Sequence, residues 1–254
     1  MSDSRKETKI PVAETFYTLQ GEGRSVGHPA VFLRTGGCNL LCGDVENPND
    51  KQEELVQGDD ATWTCDTIEV WKNPNSKTVR EILEYWSEEG WLYKMEEENA
   101  HLILTGGEPM LRQEELSDLL RELRNVTVEV ETNGTIMPEP EFESQVDMFN
   151  VSQKLSNSGM DYDRRVKKEP TKYFTDSDKA KFKYVVSREE DLQEIWDLQD
   201  EFGIKNNQIQ LMPAGYTRED LDNSYQAVAE VCMEHGYEFS PRLHVEIWGQ
   251  ATGV

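Results

Sequence analysis

Five short apolar runs punctuate the chain from His101 onward, and they constrain the fold more than any other feature. They are "HLILTGGEP" (His101–Pro109), "VTVEVETNG" (Val126–Gly134), "MFNVSQK" (Met148–Lys154), "KFKYVVS" (Lys181–Ser187) and "NQIQLMP" (Asn207–Pro213). Each is too short for a buried helix and ends in glycine or polar residues, so each reads as a strand. Stretches of helical spacing stand between most of them. Before the first, Thr78 and Glu81 form a capping box. Val79, Ile82, Leu83 and Trp86 then make one apolar face, and Gly90 ends the helix. Further helices are predicted over Leu111–Arg124, with Leu116, Leu119, Leu120 and Leu123 on one side, over Arg188–Phe202, and over about Arg218–His235. "EFSPRLHVEIWG" (Glu238–Gly249) reads as a closing strand. Such alternation predicts a parallel sheet with right-handed crossovers, whose working residues sit at the carboxyl ends of the strands. The loops after Leu104, Glu131, Val151 and Gln210 are therefore expected to converge on one mouth.

The chain's 254 residues, 36% of them hydrophobic, suffice for a sizeable core. Fifty acidic residues stand against 26 basic ones, a formal net charge of −24, and they are spread along the whole sequence. A surface so negative repels nucleic acid and anionic membranes and stays soluble where salt screens it. A high-salt cytoplasm is the expected setting, with an ordinary acidic protein as the alternative. No long apolar run and no basic-then-apolar leader is present, so neither a membrane span nor a secretory signal is expected.

Two segments break the rhythm. Gly43–Thr64 is polar and carries seven acids against Lys51 alone. Asp161–Lys172 reads as a charged loop containing Arg164, Arg165, Lys167 and Lys168. Both are expected to be solvated excursions, the second being also a candidate basic contact for a partner.

The chain has four cysteines, too few for a disulfide framework at this length. In a reducing cytoplasm clustered thiols bind metal or do chemistry. Cys38 and Cys42 form a CxxxC pair, and Cys65 follows the acidic segment. Three thiolates in a loop can hold an iron–sulfur cubane and leave one iron open. A zinc site completed by His101 or His244, or plain core cysteines, are the alternatives. Cys232, in "AVAEVCMEHG", has the spacing of a core residue. The two glycines of "TGGEP" let a ligand approach the backbone at a strand end.

Together these segments resemble a known family. "FYTLQGEGRSVGHPAVFLRTGGCNLLC" (Phe16–Cys42), "CDT" (Cys65–Thr67), "TGGEPML" (Thr105–Leu111), "ETNGT" (Glu131–Thr135) and "LHVEIWG" (Leu243–Gly249) are similar to the 7-carboxy-7-deazaguanine synthases. These are radical S-adenosylmethionine enzymes of deazapurine biosynthesis. The matches run in order along nearly the whole chain. "LQGEG" and "LHVEIWG" are not expected in a glycyl-radical activase, which would share the cysteines and "GGEP". The departure is in the cysteine loop, where 22 residues replace the two usually found between the second and third thiols.

The resemblance implies a single domain over residues 1–254, built as an α/β partial, open barrel of the radical SAM type, with the acidic insertion at about 43–64. It implies a [4Fe–4S] cluster on Cys38, Cys42 and Cys65, with S-adenosylmethionine on the open iron. It implies the radical-initiated ring contraction of 6-carboxy-5,6,7,8-tetrahydropterin to 7-carboxy-7-deazaguanine with loss of ammonia. The magnesium ion of such enzymes falls to Thr67, otherwise a helix N-cap. Substrate contacts fall to Leu19, Gln20, Gly21, Glu22, Arg34, Thr105 and His244. Arg34 alone would be read as a surface ion pair, and His244 as structural. S-adenosylmethionine contacts fall to Thr64, Asp66, Gly107, Glu131, Ser152, Gln153, Lys154, Gln210, Leu211, Met212 and Pro213. The family more often has proline where Gln153 stands, and Gln210 and Met212 read equally well as core. An electron donor such as flavodoxin or ferredoxin, a homodimer, and no direct contact with nucleic acid or membrane are further implications. The product serves queuosine or archaeosine formation in tRNA.

Overall fold

The computed structural model describes residues 7–43, 45, 57–65, 67–249, 251 and 253. Nine strands form one sheet: β1 (Lys9–Leu19), β2 (Pro29–Thr35), β3 (Asn75–Thr78), β4 (His101–Gly106), β5 (Val128–Thr132), β6 (Met148–Val151), β7 (Ala180–Val186), β8 (Ile209–Pro213) and β9 (Glu238–Phe239). Their order is β3-β1-β2-β4-β5-β6-β7-β8-β9. From β2 onward every pairing is parallel, in sequence order, as the alternation predicts. The sheet does not close, so the barrel is partial and open. The N-terminal edge differs from the expected pattern: β1 runs antiparallel to both β2 and β3.

The two faces of the sheet have opposite character, because successive side chains of a strand point to opposite sides. Val31 and Leu33, Leu102 and Leu104, Val128 and Val130, Phe149 and Val151, Phe182 and Tyr184, and Ile209 and Leu211 share one face and are buried. They join one apolar core with the helices outside the sheet. The intervening residues face the concave side, and many are polar: Arg34, Thr105, Glu129, Glu131, Asn150, Lys183 and Gln210. The outer face supplies the burial that drives folding, and the inner face is left for chemistry.

The helices follow their local signals. Thr78 Oγ1 accepts from Glu81 N and the Glu81 carboxylate accepts from Thr78 N, completing the capping box of the Val79–Glu88 helix. Val79, Ile82 and Trp86 are its buried face, and the Trp86 indole donates to Thr15 Oγ1 at 2.9 Å. The helices Glu190–Phe202 and Arg218–His235 each end on a glycine, Gly203 or Gly236, in the left-handed region. Cys232 is a buried core residue.

Three predicted elements differ. The helix expected over Leu111–Arg124 is a 3-10 turn at Pro109–Arg112 followed by the helix Gln113–Leu120. The segment Asp161–Lys172 is no solvated loop. It contains the helix Tyr162–Arg165 and the start of the helix Lys168–Asp176. Arg165 is buried there, donating to the carbonyls of Met160 and Lys154 and pairing with Glu194. The closing strand is only Glu238–Phe239, and Leu243–Trp248 is helical. Pro241, which lacks an N–H, ends the ladder. Of the expected acidic excursion, residues 44 and 46–56 lie outside the described residues, as does the predicted ligand Asp66. Among the described residues no helix is long and apolar enough to cross a membrane.

Candidate active site

The loops after β2, β4, β5 and β6 meet at the carboxyl end of the sheet. Gly107 N donates to Thr35 O and Glu108 N to Gly37 O, laying the Gly-Gly turn against the first cysteine. A Cβ on Gly107 would lie 2.2 Å from Gly37 O and 2.8 Å from Cys38 Cβ, so only glycine allows this approach. Glu108 is fully buried. Its carboxylate accepts from Met110 N, Thr132 Oγ1 and Asn133 N at 3.0, 2.8 and 2.7 Å. Burial pushes its pKa up to about 7, against these hydrogen bonds. Asn133 in turn donates to Asn39 Oδ1 at 2.8 Å, and Asn39 donates to Thr135 Oγ1 at 2.7 Å. The "GGEP" and "ETNGT" segments are thus one scaffold beneath the thiol loop.

Cys38, Cys42 and Cys65 gather with Leu40, Met160 and Trp63 in a small cluster of their own, apart from the main core. None is in a disulfide. Cys65 N donates to Cys42 O at 3.2 Å, so the residues flanking the insertion meet. Burial raises the Cys38 thiol to about 11 and the Cys42 thiol to about 12, while Lys154 acts in the opposite direction on both. Lys154 Nζ donates to Ser152 Oγ at 2.8 Å and stands 5.5 Å from the centre of the Trp63 ring. Thr67 occupies the N-cap position of the helix Ile68–Lys72 without capping it, and its hydroxyl is 3.5 Å from Cys65 Sγ.

This donor set fits an iron–sulfur cluster: three thiols outside any disulfide in one cluster, with no histidine among the described residues of that cluster. His101, named for a zinc site, is at the far end of β4, roughly 16 Å from the mouth by strand geometry, paired with Glu129 at 2.5 Å. His244 lies against Gly21 and Glu22. Among the described residues no group of three His, Cys, Asp or Glu side chains converges to share one metal ion.

Below the thiols the concave face holds a network of charges. Lys183, almost fully buried, pairs with Glu22 at 2.7 Å and Glu131 at 2.9 Å. Arg242 Nε is 3.2 Å and His244 Nε2 3.9 Å from Glu22 Oε1. Gln20 and Asn150 donate to Glu131 Oε1 at 3.2 and 3.0 Å. Burial alone would raise the Glu22 carboxyl, but Lys183, Arg242 and His244 hold it well below the ordinary range. Glu131 goes the other way: burial raises it, and Lys183 only partly compensates. Arg34 Nε donates to Glu14 Oε1 at 2.7 Å, and Arg34 stands beside Thr105 in the β2–β4 register. A Cβ on Gly21 would fall 2.2 Å from His244 Nδ1, so that glycine admits the histidine.

The predicted residues do not all face this interior. Leu19 lines an outer groove with Tyr17, Pro29 and Trp248. Gln153 points to the helical side, donating to Thr171 Oγ1 and accepting from Tyr184 Oη. Leu211 belongs to the outer core. Gln210 donates to Glu238 at 3.0 Å, Met212 is buried, and Pro213 ends β8. Thr64 is held by Tyr216, whose hydroxyl accepts from Thr64 N at 2.9 Å and donates to Thr64 O. Lys183, Arg242, Asn150 and Tyr216 were absent from the sequence prediction. A lysine alternating with apolar residues in "KFKYVV" was the available signal for Lys183.

An open, mostly parallel barrel that carries three thiols outside any disulfide and a Gly-Gly turn at the carboxyl end of its strands is the architecture of a radical S-adenosylmethionine enzyme. The 7-carboxy-7-deazaguanine synthase of Pyrobaculum aerophilum is 33% identical over 249 residues, covering 96% of this chain and 97% of the relative. That of Halobacterium salinarum is 32% identical over 271 residues, covering 95% and 91%. The crystal structure of QueE from Escherichia coli superposes with a TM-score of 0.64 at 22% identity, over 94% of this chain and 96% of that one, a likeness of fold. No family model matches the chain. The chain belongs to the 7-carboxy-7-deazaguanine synthase family.

Proposed function

We propose that this protein converts 6-carboxy-5,6,7,8-tetrahydropterin to 7-carboxy-7-deazaguanine by ring contraction with loss of ammonia, in deazapurine biosynthesis. The observation that carries the reading is that Cys38, Cys42 and Cys65 gather in one cluster on a sheet whose concave face holds the partly buried network of Gln20, Glu22, Glu131 and Lys183. Cys38, Cys42 and Cys65 would hold a [4Fe–4S] cluster, with S-adenosylmethionine beside Gly107, Ser152 and Lys154. When bound, these groups supply one-electron reduction and hydrogen-atom abstraction.

The chain's own part is to bind, orient and shield. Arg34 binds the substrate carboxylate through its guanidinium fork. Gln20, Glu22 and Glu131 supply amide and carboxylate partners for the donor and acceptor edge of a pterin. Lys183 keeps Glu22 ionised in the buried basin, so that it accepts hydrogen bonds. His244, held against Gly21, closes that side. Thr67 offers a hydroxyl oxygen to Mg²⁺, a hard cation that prefers oxygen. A single domain, a homodimer, a flavodoxin or ferredoxin donor, and a salt-rich cytoplasm consistent with the −24 charge complete the reading.

The test is anaerobic incubation with S-adenosylmethionine, a reductant, Mg²⁺ and carboxytetrahydropterin. Formation of carboxydeazaguanine is expected. Formation of 5′-deoxyadenosine without it would move the substrate elsewhere within the radical enzymes. A colourless, iron-free protein after reconstitution would remove the cluster.

A further inference from the structure

The insertion raises a mechanical problem. A thiolate separated from its neighbour by only two residues is placed by the chain itself. Cys65 follows Cys42 by a span long enough, if extended, to put it tens of ångströms away. Contacts remote in sequence must therefore place it.

Those contacts fall on the residues just ahead of Cys65. Ala61 forms a β-bridge with Ser158. Thr62 N donates to Asn157 O at 2.8 Å, and the Trp63 indole donates to Asn157 Oδ1 at 2.9 Å. Thr64 is gripped at both its N–H and its carbonyl by the Tyr216 hydroxyl. The anchors are themselves fixed. Asn157 is fully buried and donates to Val185 O and Asp191 Oδ2, each at 2.8 Å. Tyr216 N donates to Asp220 Oδ2 at 3.0 Å, and Arg242 donates to the adjoining Gly215 carbonyl. Asn157 comes from the loop after β6 and Tyr216 from the loop after β8. The returning end of the insertion is thus fastened to two strands of the barrel.

We propose that Asn157 and Tyr216 are positioning residues that set the Cys65 thiol beside Cys38 and Cys42, replacing the short covalent connection that the insertion removes. This rests on the reading of the three cysteines as cluster ligands.

Two variants test it, each removing one hydrogen-bonding group and keeping an aromatic ring at the position. Tyr216→Phe deletes the hydroxyl on Thr64, and Trp63→Phe deletes the donor to Asn157. In the full-length metal-free protein, alkylation of each cysteine by iodoacetamide is followed by mass spectrometry. Cys65 is expected to react about fivefold faster in Trp63→Phe, the effect of one lost hydrogen bond, and faster still in Tyr216→Phe, which loses two. Cys232 should react as in the wild type, and the melting temperature should fall by only a few degrees, on the order of 2–4 °C per lost hydrogen bond. After reconstitution, iron should be lost to a chelator faster than from the wild type. Unchanged Cys65 alkylation in both variants overturns the proposal. Faster alkylation in a protein that takes up no iron, wild type included, supports the positioning and overturns the cluster reading instead.

Discussion

Lys183 Nζ lies 2.7 Å from Glu22 Oε2, across 161 positions of sequence. The same ammonium is 2.9 Å from Glu131. Removing it would leave Glu131 without its cation and Glu22 with Arg242 and His244 alone. Lys183→Met should destabilise the protein by about 3–5 kcal/mol, measured by urea unfolding at neutral pH. Substrate affinity should fall with it.

The pH dependence of that basin has a definite sign. Glu22 is held below its ordinary value of 4.5 in the fold. Its ionisation therefore stabilises the native state fully above pH 4.5, and the stabilisation is lost as pH falls below that. Wild type should exceed Glu22→Gln in stability at pH 7. The difference should shrink by about 1.4 kcal/mol per pH unit below 4.5. Paired urea titrations from pH 7 to pH 3 check this.

Cysteine variants should divide sharply. Cys65→Ser should lose bound iron and visible absorption after reconstitution. Cys232→Ser, at a buried position in the main core and not in the thiol cluster, should keep both while melting somewhat lower. Iron analysis and an absorption spectrum suffice.

Gly107→Ala should fail at the cluster and not in the core. The added methyl would strike Gly37 O and Cys38 Cβ, displacing the first cysteine. Far-ultraviolet circular dichroism should stay native while iron content falls below half that of wild type.

Glu108→Ala should cost on the order of 3 kcal/mol or more. It strips Met110 N, Thr132 Oγ1 and Asn133 N of their shared acceptor in a buried place. Thermal unfolding reads the loss. Iron retention should fall too, because Asn133 also holds Asn39.

Local signals made much of this readable. The Thr78–Glu81 box and the Arg218–His235 helix are where capping residues and apolar spacing put them. The parallel strands are likewise where the short apolar runs are, and the Gly-Gly turn and the thiols meet where strand topology places them. The antiparallel β1–β2 and β1–β3 pairs were not read. β1 alternates little in burial, and its concave row mixes Glu14, Phe16 and Thr18. Leu243–Trp248 imitated a strand because Leu, Val and Ile alternate with polar residues over a stretch too short to separate the two periods. The charge network was the least legible part. Glu22 is recognisable in "LQGEG", but its partners Lys183 and Arg242 come from β7 and the last helical region. No local spacing announces an ion pair that only the assembled sheet brings together.

The clasp between Cys42 and Cys65 has a counterpart one step outward, where Gly58 N donates to Gly43 O at 2.9 Å. Gly43 adopts a φ of +102°, and a Cβ there would meet the Thr64 backbone at 2.8 Å. The chain therefore leaves and re-enters through one doorway. A change of length between the two glycines is therefore borne at this neck, by the Gly58–Gly43 and Cys65–Cys42 hydrogen bonds, before it reaches the thiols.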